Sequence, residues 1–159
     1  MKKQTNPTRQ QPQTGTATPG QPPTPQVDEP RAASRRIFPI VGIGASAGGL
    51  EALEQFLGNV PSGSGMAFVV VQHLDPTHKG IMPELLQRMT GMNVTQVKDR
   101  TKVRPNCVYV IPPNKDMSVL HDVLHLLDPA APRGLRLPID FFLRSLALDR
   151  QERSIGVIL

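Results

Sequence analysis

The feature that most constrains the fold is a short apolar run followed at once by a helical pattern. Residues 37–43 are rich in Ile and end among glycines, and Leu50, Leu53 and Leu57 then recur at the spacing of an amphipathic helix. A second continuous apolar run follows at 66–71. Apolar runs of this length suit strands that are buried on both faces of a sheet. The sequence therefore predicts a βαβ unit.

The same alternation continues toward the end of the chain. Helical spacing returns at 79–89 and at 138–150, where Pro138 stands at the start, and a third apolar run occupies 155–159. Strands that alternate with helices favour a parallel sheet. We therefore predict the α/β class, as an open parallel sheet with helices on both faces.

The middle of the chain has a different pattern. Short extended runs at 103–112, 117–120 and 123–127 are broken by the turn-forming segments 112–114 and 121–122. This pattern predicts a β-hairpin excursion from the main sheet.

The first 36 residues consist mainly of Gln, Thr, Pro, Lys and Arg. Such a composition buries too little apolar surface to offset the entropy of ordering a backbone. We predict a disordered basic tail at 1–36 and one folded domain at 37–159. The tail also holds most of the chain's net charge of +5, through Lys2, Lys3, Arg9, Arg31, Arg35 and Arg36 against Asp28 and Glu29.

The charge therefore does not indicate a nucleic-acid partner. The nearly neutral body lacks the clustered Arg and interleaved aromatic residues of a surface that reads or stacks on bases. No apolar run is long enough for a signal sequence or a membrane span, so we expect a cytoplasmic protein without membrane insertion. The single cysteine, Cys107, excludes an intrachain disulfide.

A candidate nucleophile lies between the first strand and the first helix. Gly44, Ser46 and Gly48 have the G-x-S-x-G spacing, in which small neighbours let the chain turn sharply and expose the serine hydroxyl. The backbone N–H of Ala47 could stabilise an oxyanion there, at the positive end of the helix dipole. His73 follows the second strand, and in a parallel sheet it would lie at the same edge as Ser46, where it could act as general base.

The same glycines leave a second interpretation open. Gly42, Gly44 and Gly48 also resemble a dinucleotide-binding fingerprint. A dinucleotide site would want an acidic residue at the end of the second strand, but that strand ends at Gln72 and His73. A nucleotide-binding α/β domain is therefore the less favoured alternative.

Four motifs in order make the sequence recognisable: Ile-Gly-Ala-Ser-Ala-Gly-Gly at 43–49, Val-Val-Gln-His at 70–73, Cys-Val-Tyr-Val-Ile-Pro-Pro at 107–113 and Pro-Ile-Asp-Phe-Phe-Leu-Arg-Ser at 138–145. Together they resemble the catalytic domain of CheB, the protein-glutamate methylesterase of bacterial chemotaxis. The resemblance covers residues 37–159. It implies that Ser46 is the nucleophile and His73 the general base, acting on γ-glutamyl methyl esters of chemoreceptors, with receptor glutamine deamidation in some members.

The resemblance also implies what accompanies this pair. It calls for no organic cofactor and no metal. The third catalytic residue of the family, an aspartate, lies in a Gly-rich loop after the strand that residues 156–159 resemble, so the domain at 37–159 is expected to be partial and the sheet incomplete on its C-terminal side. The expected partners are the methylated cytoplasmic domains of chemoreceptors and a chemotaxis methyltransferase, fused or separate. An inactive fragment that only binds chemotaxis partners is the remaining alternative.

Two histidines are candidate metal ligands by their spacing. His121 and His125 have the i, i+4 spacing of the helical zinc motif. They fall in the predicted hairpin, however, where strands do not bring such residues together as a helix does. We therefore predict no zinc site.

Overall fold

The computed structural model describes residues 38–46, 48–72, 81–130, 132 and 135–159. The predicted tail at 1–36 lies outside these residues. The strands within them are β1 Ile40–Ala45, β2 Ala67–Gln72, β3 Asn93–Gln96, β4 Thr101–Lys102, β5 Cys107–Val110, β6 Asp116–Leu120, β7 Val123–Leu127 and β8 Ser154–Ile158. The α-helices are α1 Leu50–Gly58, α2 Ile81–Met89 and α3 Pro138–Arg150.

Five strands form the main sheet, in the order β3-β5-β2-β1-β8. All four neighbouring pairs are parallel. The chain leaves β1 toward β2 on one side and returns to its other side as β8. The direction of strand order therefore reverses at β1, which is where open α/β sheets place their binding crevices.

Helices cover both faces of this sheet. Phe68 and Val70 pack with α1 and α2, whereas Val69 and Val71 pack with α3 and the strands β6 and β7. This alternation gives β2 two buried faces, as its uninterrupted apolar sequence predicts. The predicted α/β class with helices on both faces is confirmed.

Helix α3 approaches β1 closely because two strand residues lack side chains. A Cβ on Gly42 would lie 2.8 Å from Leu143 Cδ2, and a Cβ on Gly44 would lie 2.4 Å from Ile139 Cγ2. Neither contact leaves room for a methyl group. Both glycines therefore serve helix-to-sheet packing.

A second, antiparallel sheet has the order β4-β7-β6. Strands β6 and β7 are joined by His121 and Asp122, whose φ angles of 50° and 66° are the positive values that a two-residue type I′ turn requires. The predicted hairpin excursion at 117–127 is confirmed.

The hairpin is tied to α3 by polar contacts. Ser145 Oγ accepts the Val119 N–H at 3.1 Å, and Asp149 Oδ1 accepts the His121 N–H at 2.7 Å. The Arg150 guanidinium pairs with Asp149, Nε to Oδ2 at 3.3 Å, and with Asp122 in the hairpin turn. Its carbon Cζ also lies 5.4 Å from the centre of the Phe38 ring.

The sequence interpretation of the middle segment was wrong in one part. The run at 103–112 was grouped with the hairpin, but its strand β5 is an inner strand of the main sheet, between β3 and β2. The short strand β3 was not predicted at all. Only Val94 of its four residues is buried, so it lacks the continuous apolar run that marked the inner strands.

The predicted helix limits agree well with the structure. Helix α3 spans the predicted 138–150, with Pro138 at its first position, and α1 spans 50–58. The helix predicted at 79–89 is α2, which ends at Met89 as expected and is described from Ile81 onward. None of the helices in the described ranges has the length and apolar character to cross a membrane.

Candidate active site

Ser46 lies at the carboxyl end of β1, between this strand and α1. It is exposed, whereas all six residues of β1 before it are buried. Because the strand order reverses at β1, the serine lies at the position where open α/β sheets commonly form their binding crevices. The turn predicted from the glycine spacing therefore brings Ser46 to the edge of the sheet that the chemistry needs.

The turn is closed by backbone hydrogen bonds. The Gly49 N–H donates to the Ser46 carbonyl at 3.0 Å, and the Leu53 N–H donates to the Gly49 carbonyl at 2.9 Å. Gly49 is the N-cap of α1 and supplies no side-chain cap. A Cβ there would lie 3.1 Å from the Cβ of Ala45, so a small residue suits this position.

The neighbouring strand β2 ends beside the serine. Ala45, the residue before Ser46, pairs in the sheet with Gln72, the residue before His73. The register therefore ends β1 and β2 at the same edge of the sheet, where Ser46 lies. His73 and Ala47 themselves lie outside the described residues.

The side chain of Gln72 contacts the serine turn directly. Its Nε2 donates to the Ser46 carbonyl at 3.0 Å, although the residue is only 6% exposed. Its Oε1 is buried and accepts no hydrogen bond from the described residues. An unpaired buried acceptor of this kind costs about 1–3 kcal/mol.

Strand β8 borders the serine turn on the other side. The Leu159 N–H donates to the Gly44 carbonyl at 2.9 Å. A Cβ on Gly49 would lie 3.3 Å from the Leu159 carbonyl oxygen. The carboxyl ends of β1, β2 and β8 thus meet around Ser46.

The other polar residues of the motifs and of the hairpin lie elsewhere. Asp140, the acidic residue of the fourth motif, is exposed in the first turn of α3. His121 is in the hairpin turn and His125 is in β7, so the pair is not on a helix. The described ranges contain no cluster of three or more His, Cys, Asp or Glu that could hold a metal ion.

The glycines of the dinucleotide interpretation have another explanation. Gly42 and Gly44 lie inside β1 and face α3, where their missing side chains make room for helix packing. Only Gly48 lies in the turn, with nothing within 4 Å of a Cβ built on it. The glycine spacing therefore carries no separate argument for a nucleotide.

An exposed serine on a strand-to-helix turn, at the carboxyl edge of a parallel sheet, is the arrangement in which serine hydrolases of the α/β class present their nucleophile. The chain belongs to the CheB methylesterase family, whose model matches residues 41–159. The resemblance found in the sequence motifs is thereby confirmed.

Individual relatives agree with this family. The chain is 32% identical over 133 residues to protein-glutamate methylesterase/protein-glutamine glutaminase 1 of Syntrophomonas wolfei, covering 79% of this chain and 38% of that protein. It is 30% identical over 142 residues to protein-glutamate methylesterase/protein-glutamine glutaminase 4 of Anaeromyxobacter dehalogenans, covering 87% of this chain and 40% of the relative.

A solved structure gives the same result. The crystal structure of the Thermotoga maritima CheB methylesterase catalytic domain matches with a TM-score of 0.67 at 27% identity. The match covers 76% of this chain and 66% of that domain. The chain thus spans about two fifths of the two curated relatives and about two thirds of the solved catalytic domain.

Sequence reasoning identified Ser46 but gave no role to Gln72. A signal was present, because Gln72 is the one polar residue in the strand Ala-Phe-Val-Val-Val-Gln. It was used only to argue against an acidic ribose ligand. A polar side chain at the end of an otherwise apolar inner strand points to a specific partner at the sheet edge.

Proposed function

We propose that this chain carries the nucleophile and general base of a protein-glutamate methylesterase that acts on bacterial chemoreceptors. The observation that supports this most directly is the exposed Ser46 at the end of β1, with Ala45 in register with Gln72. The relatives' names add glutaminase activity, so receptor glutamine deamidation by the same site is part of the proposal.

The proposed reaction proceeds in two steps. Ser46 Oγ attacks the ester carbonyl while His73 takes its proton, and the tetrahedral intermediate collapses to an acyl-serine as His73 returns the proton to the leaving methanol. Water then attacks the acyl-serine, again with His73 as base, and releases the glutamate side chain. An amide substrate would follow the same course and release ammonia.

The oxyanion of each step would be stabilised by the Ala47 N–H, at the start of α1. Removing one such donor typically costs about 3–4 kcal/mol of transition-state stabilisation. By the family resemblance, the aspartate that orients the base belongs to the loop after β8. The position of Leu159 beside Gly44 and Gly49 supports this, because it puts the end of β8 at the edge of the sheet where Ser46 lies.

Labelling with a fluorophosphonate tests the nucleophile. We expect the probe to modify Ser46 slowly, because the base and the oxyanion donor retain part of the activation when the orienting acid is absent, and Ser46→Ala to abolish the modification. Ser62 is a matched control. It is also an exposed serine near a helix end, but it lies in the segment between α1 and β2 and not at the carboxyl edge of the sheet. Peptide mapping that finds Ser46 and Ser62 modified equally, or neither modified, would contradict the proposal and favour a fragment that only binds partners.

Methanol release from methylated receptor tests the role of the downstream acid. In the serine-protease template, loss of the orienting aspartate costs about 10⁴ in rate. We therefore expect the 159 residues alone to release methanol about 10⁴ times more slowly than a polypeptide that includes the loop after β8. Rapid release by the 159-residue chain, abolished by Ser46→Ala, would show that the acid is not required.

The proposal also covers the protein's setting. The substrates would be the methylated cytoplasmic domains of chemoreceptors, which places the reaction in the cytoplasm. A chemotaxis methyltransferase, fused or separate, would supply the methyl esters that this site removes. No cofactor enters the proposed chemistry.

A further inference from the structure

The buried side chain of Gln72 joins the end of β2 to the serine turn. By the alternation of β2, Gln72 lies on the same sheet face as Phe68 and Val70, which pack against α1 and α2. Its side chain therefore lies on the face of the sheet that α1 covers. It ends on the Ser46 carbonyl, at 3.0 Å.

The orientation of this side-chain amide is fixed by chemistry. A carbonyl oxygen can only accept a hydrogen bond, so the amide nitrogen of Gln72 must face Ser46 and the amide oxygen must face away. The Ser46 carbonyl then accepts two donors, the Gln72 Nε2 at 3.0 Å and the Gly49 N–H at 3.0 Å. Both lone pairs of this carbonyl are used.

Stability does not explain the choice of glutamine. The Gln72 Oε1 is buried without a partner, and the Ser46 carbonyl would keep the Gly49 N–H if the glutamine were replaced. An apolar side chain of the same length would remove the unpaired acceptor and leave no buried donor orphaned. We therefore expect Gln72→Met to fold at least as well as the wild type.

We propose that Gln72 is a positioning residue for the nucleophile turn. A peptide group is planar, with its C=O and N–H in opposite directions, so a clamp on the Ser46 carbonyl restrains the whole peptide group that links Ser46 to Ala47. The N–H of that group is the proposed oxyanion donor. By holding the Ser46 carbonyl, Gln72 thus restrains the peptide group that carries this donor, a role that rests on the proposed function.

The test compares Gln72→Met with the wild-type 159-residue chain in two measurements. The rate of fluorophosphonate labelling at Ser46 should fall at least about tenfold, but by less than the 10²–10³ lost when a donor is removed outright. The Tm should stay unchanged or rise, because the unpaired Oε1 is gone. A variant that loses Tm while keeping its labelling rate would overturn the proposal, since Gln72 would then be structural.

Gln87→Met is the matched control. Gln87 also bonds to backbone through its side chain: Nε2 donates to the Thr90 carbonyl at 3.3 Å and the Met92 carbonyl at 2.9 Å, and Oε1 accepts the Val94 N–H at 2.9 Å. Gln87 lies in the last turn of α2, away from the serine turn. Its replacement should lower the Tm and leave Ser46 labelling unchanged, the reverse of the pattern expected for Gln72.

Hydrogen exchange at single amides tests the clamp without any need for activity. In Gln72→Met the Gly49 N–H should exchange about tenfold faster, because its acceptor is less firmly held, while the Leu53 and Val69 amides keep their wild-type rates. If Ser46 is unlabelled in every variant, the proposed function fails, and the Gly49 rate still decides the clamp. An unchanged Gly49 rate, or equal acceleration of all three amides, would overturn the positioning role.

Discussion

The two helices that pack on opposite faces of β1 are held in different ways. Helix α3 is tied to the hairpin by Ser145, Asp149 and Arg150, each with a polar partner across the interface. Helix α1 contacts the rest of the described structure through buried apolar side chains, chiefly Leu53 and Leu57, and its side-chain hydrogen bonds stay within the helix and its C-cap.

This difference shows how the fold separates scaffold from site. Apolar contacts are non-directional, so they fix the distance of α1 from the sheet better than they fix the rotation of its first turn. Hydrogen bonds and ion pairs are directional, and α3 has several. The turn between β1 and α1, where Ser46 lies, is held instead by two hydrogen bonds to the Ser46 carbonyl, one from the Gly49 N–H and one from the Gln72 side-chain amide.

Replacing the arginine at the end of α3 gives the largest expected effect. In Arg150→Met the side chain of Asp149, only 7% exposed, loses its cation, and removal of one partner from a buried pair costs about 3 kcal/mol or more. Urea unfolding should show this loss. Arg88 is the matched control, since it stands in the last turn of α2 but is exposed, and Arg88→Met should change the unfolding free energy by less than about 0.5 kcal/mol. Similar losses of unfolding free energy in both variants would contradict the distinction between the helices on the two faces of the sheet.

The two outer glycines of the G-x-S-x-G motif give the next largest effect. Gly44→Ala places a methyl group against Ile139 on the α3 side and should destabilise the fold by about 2 kcal/mol, as overpacking does. Gly48→Ala meets open space and should be nearly neutral in thermal unfolding. Equal melting temperatures for the two variants would mean that α3 can shift away from β1, so that its attachment is looser than the polar contacts indicate.

The titration of Tyr109 tests the packing on the face of the sheet that α3 covers. Burial raises the pKa of Tyr109 to about 12, against an ordinary value of about 10, even though its hydroxyl accepts the Arg104 N–H at 2.9 Å. The folded chain therefore holds this proton more tightly than the unfolded chain. The resulting stabilisation is complete below pH of about 10 and is lost as the pH rises toward about 12.

Tyr109 is the single tyrosine of the chain, so tyrosinate absorbance reports it alone. The native protein should titrate near pH 12, and the urea-unfolded chain near pH 10. A native midpoint near pH 10 would show that water reaches the interior on this face of the sheet, contrary to the close packing inferred for it.

The fold was predictable where local sequence and tertiary packing agree. Helix α3 was placed at 138–150 because proline at its first position and apolar spacing give the same limits. The order of strands in the sheet was not predictable in this way, because β5 and β3 join it through contacts distant in sequence. A short extended run looks alike in a hairpin and in a parallel sheet, so β5 was grouped with the wrong sheet.

The candidate site was predictable in part for the same reason. Ser46 was identified because its neighbours are small and its turn is local. Gln72 was missed because its role depends on which strand lies beside β1 and in what register, and neither follows from the residues of β2 alone. Side chains that act through a neighbouring strand need the assembled sheet before they can be recognised.

The matched ends of β1 and β2 also set a limit on how this chain can vary in length. Side chains alternate between the two faces of a strand, so loss or gain of one residue within β2 would exchange its faces. Gln72 would then point toward α3 instead of α1, and the apolar residues before it would change partners as well. A single-codon deletion in β2 should therefore be far more damaging than any single substitution there, whereas the segment at 59–65 between α1 and β2 should tolerate changes in length.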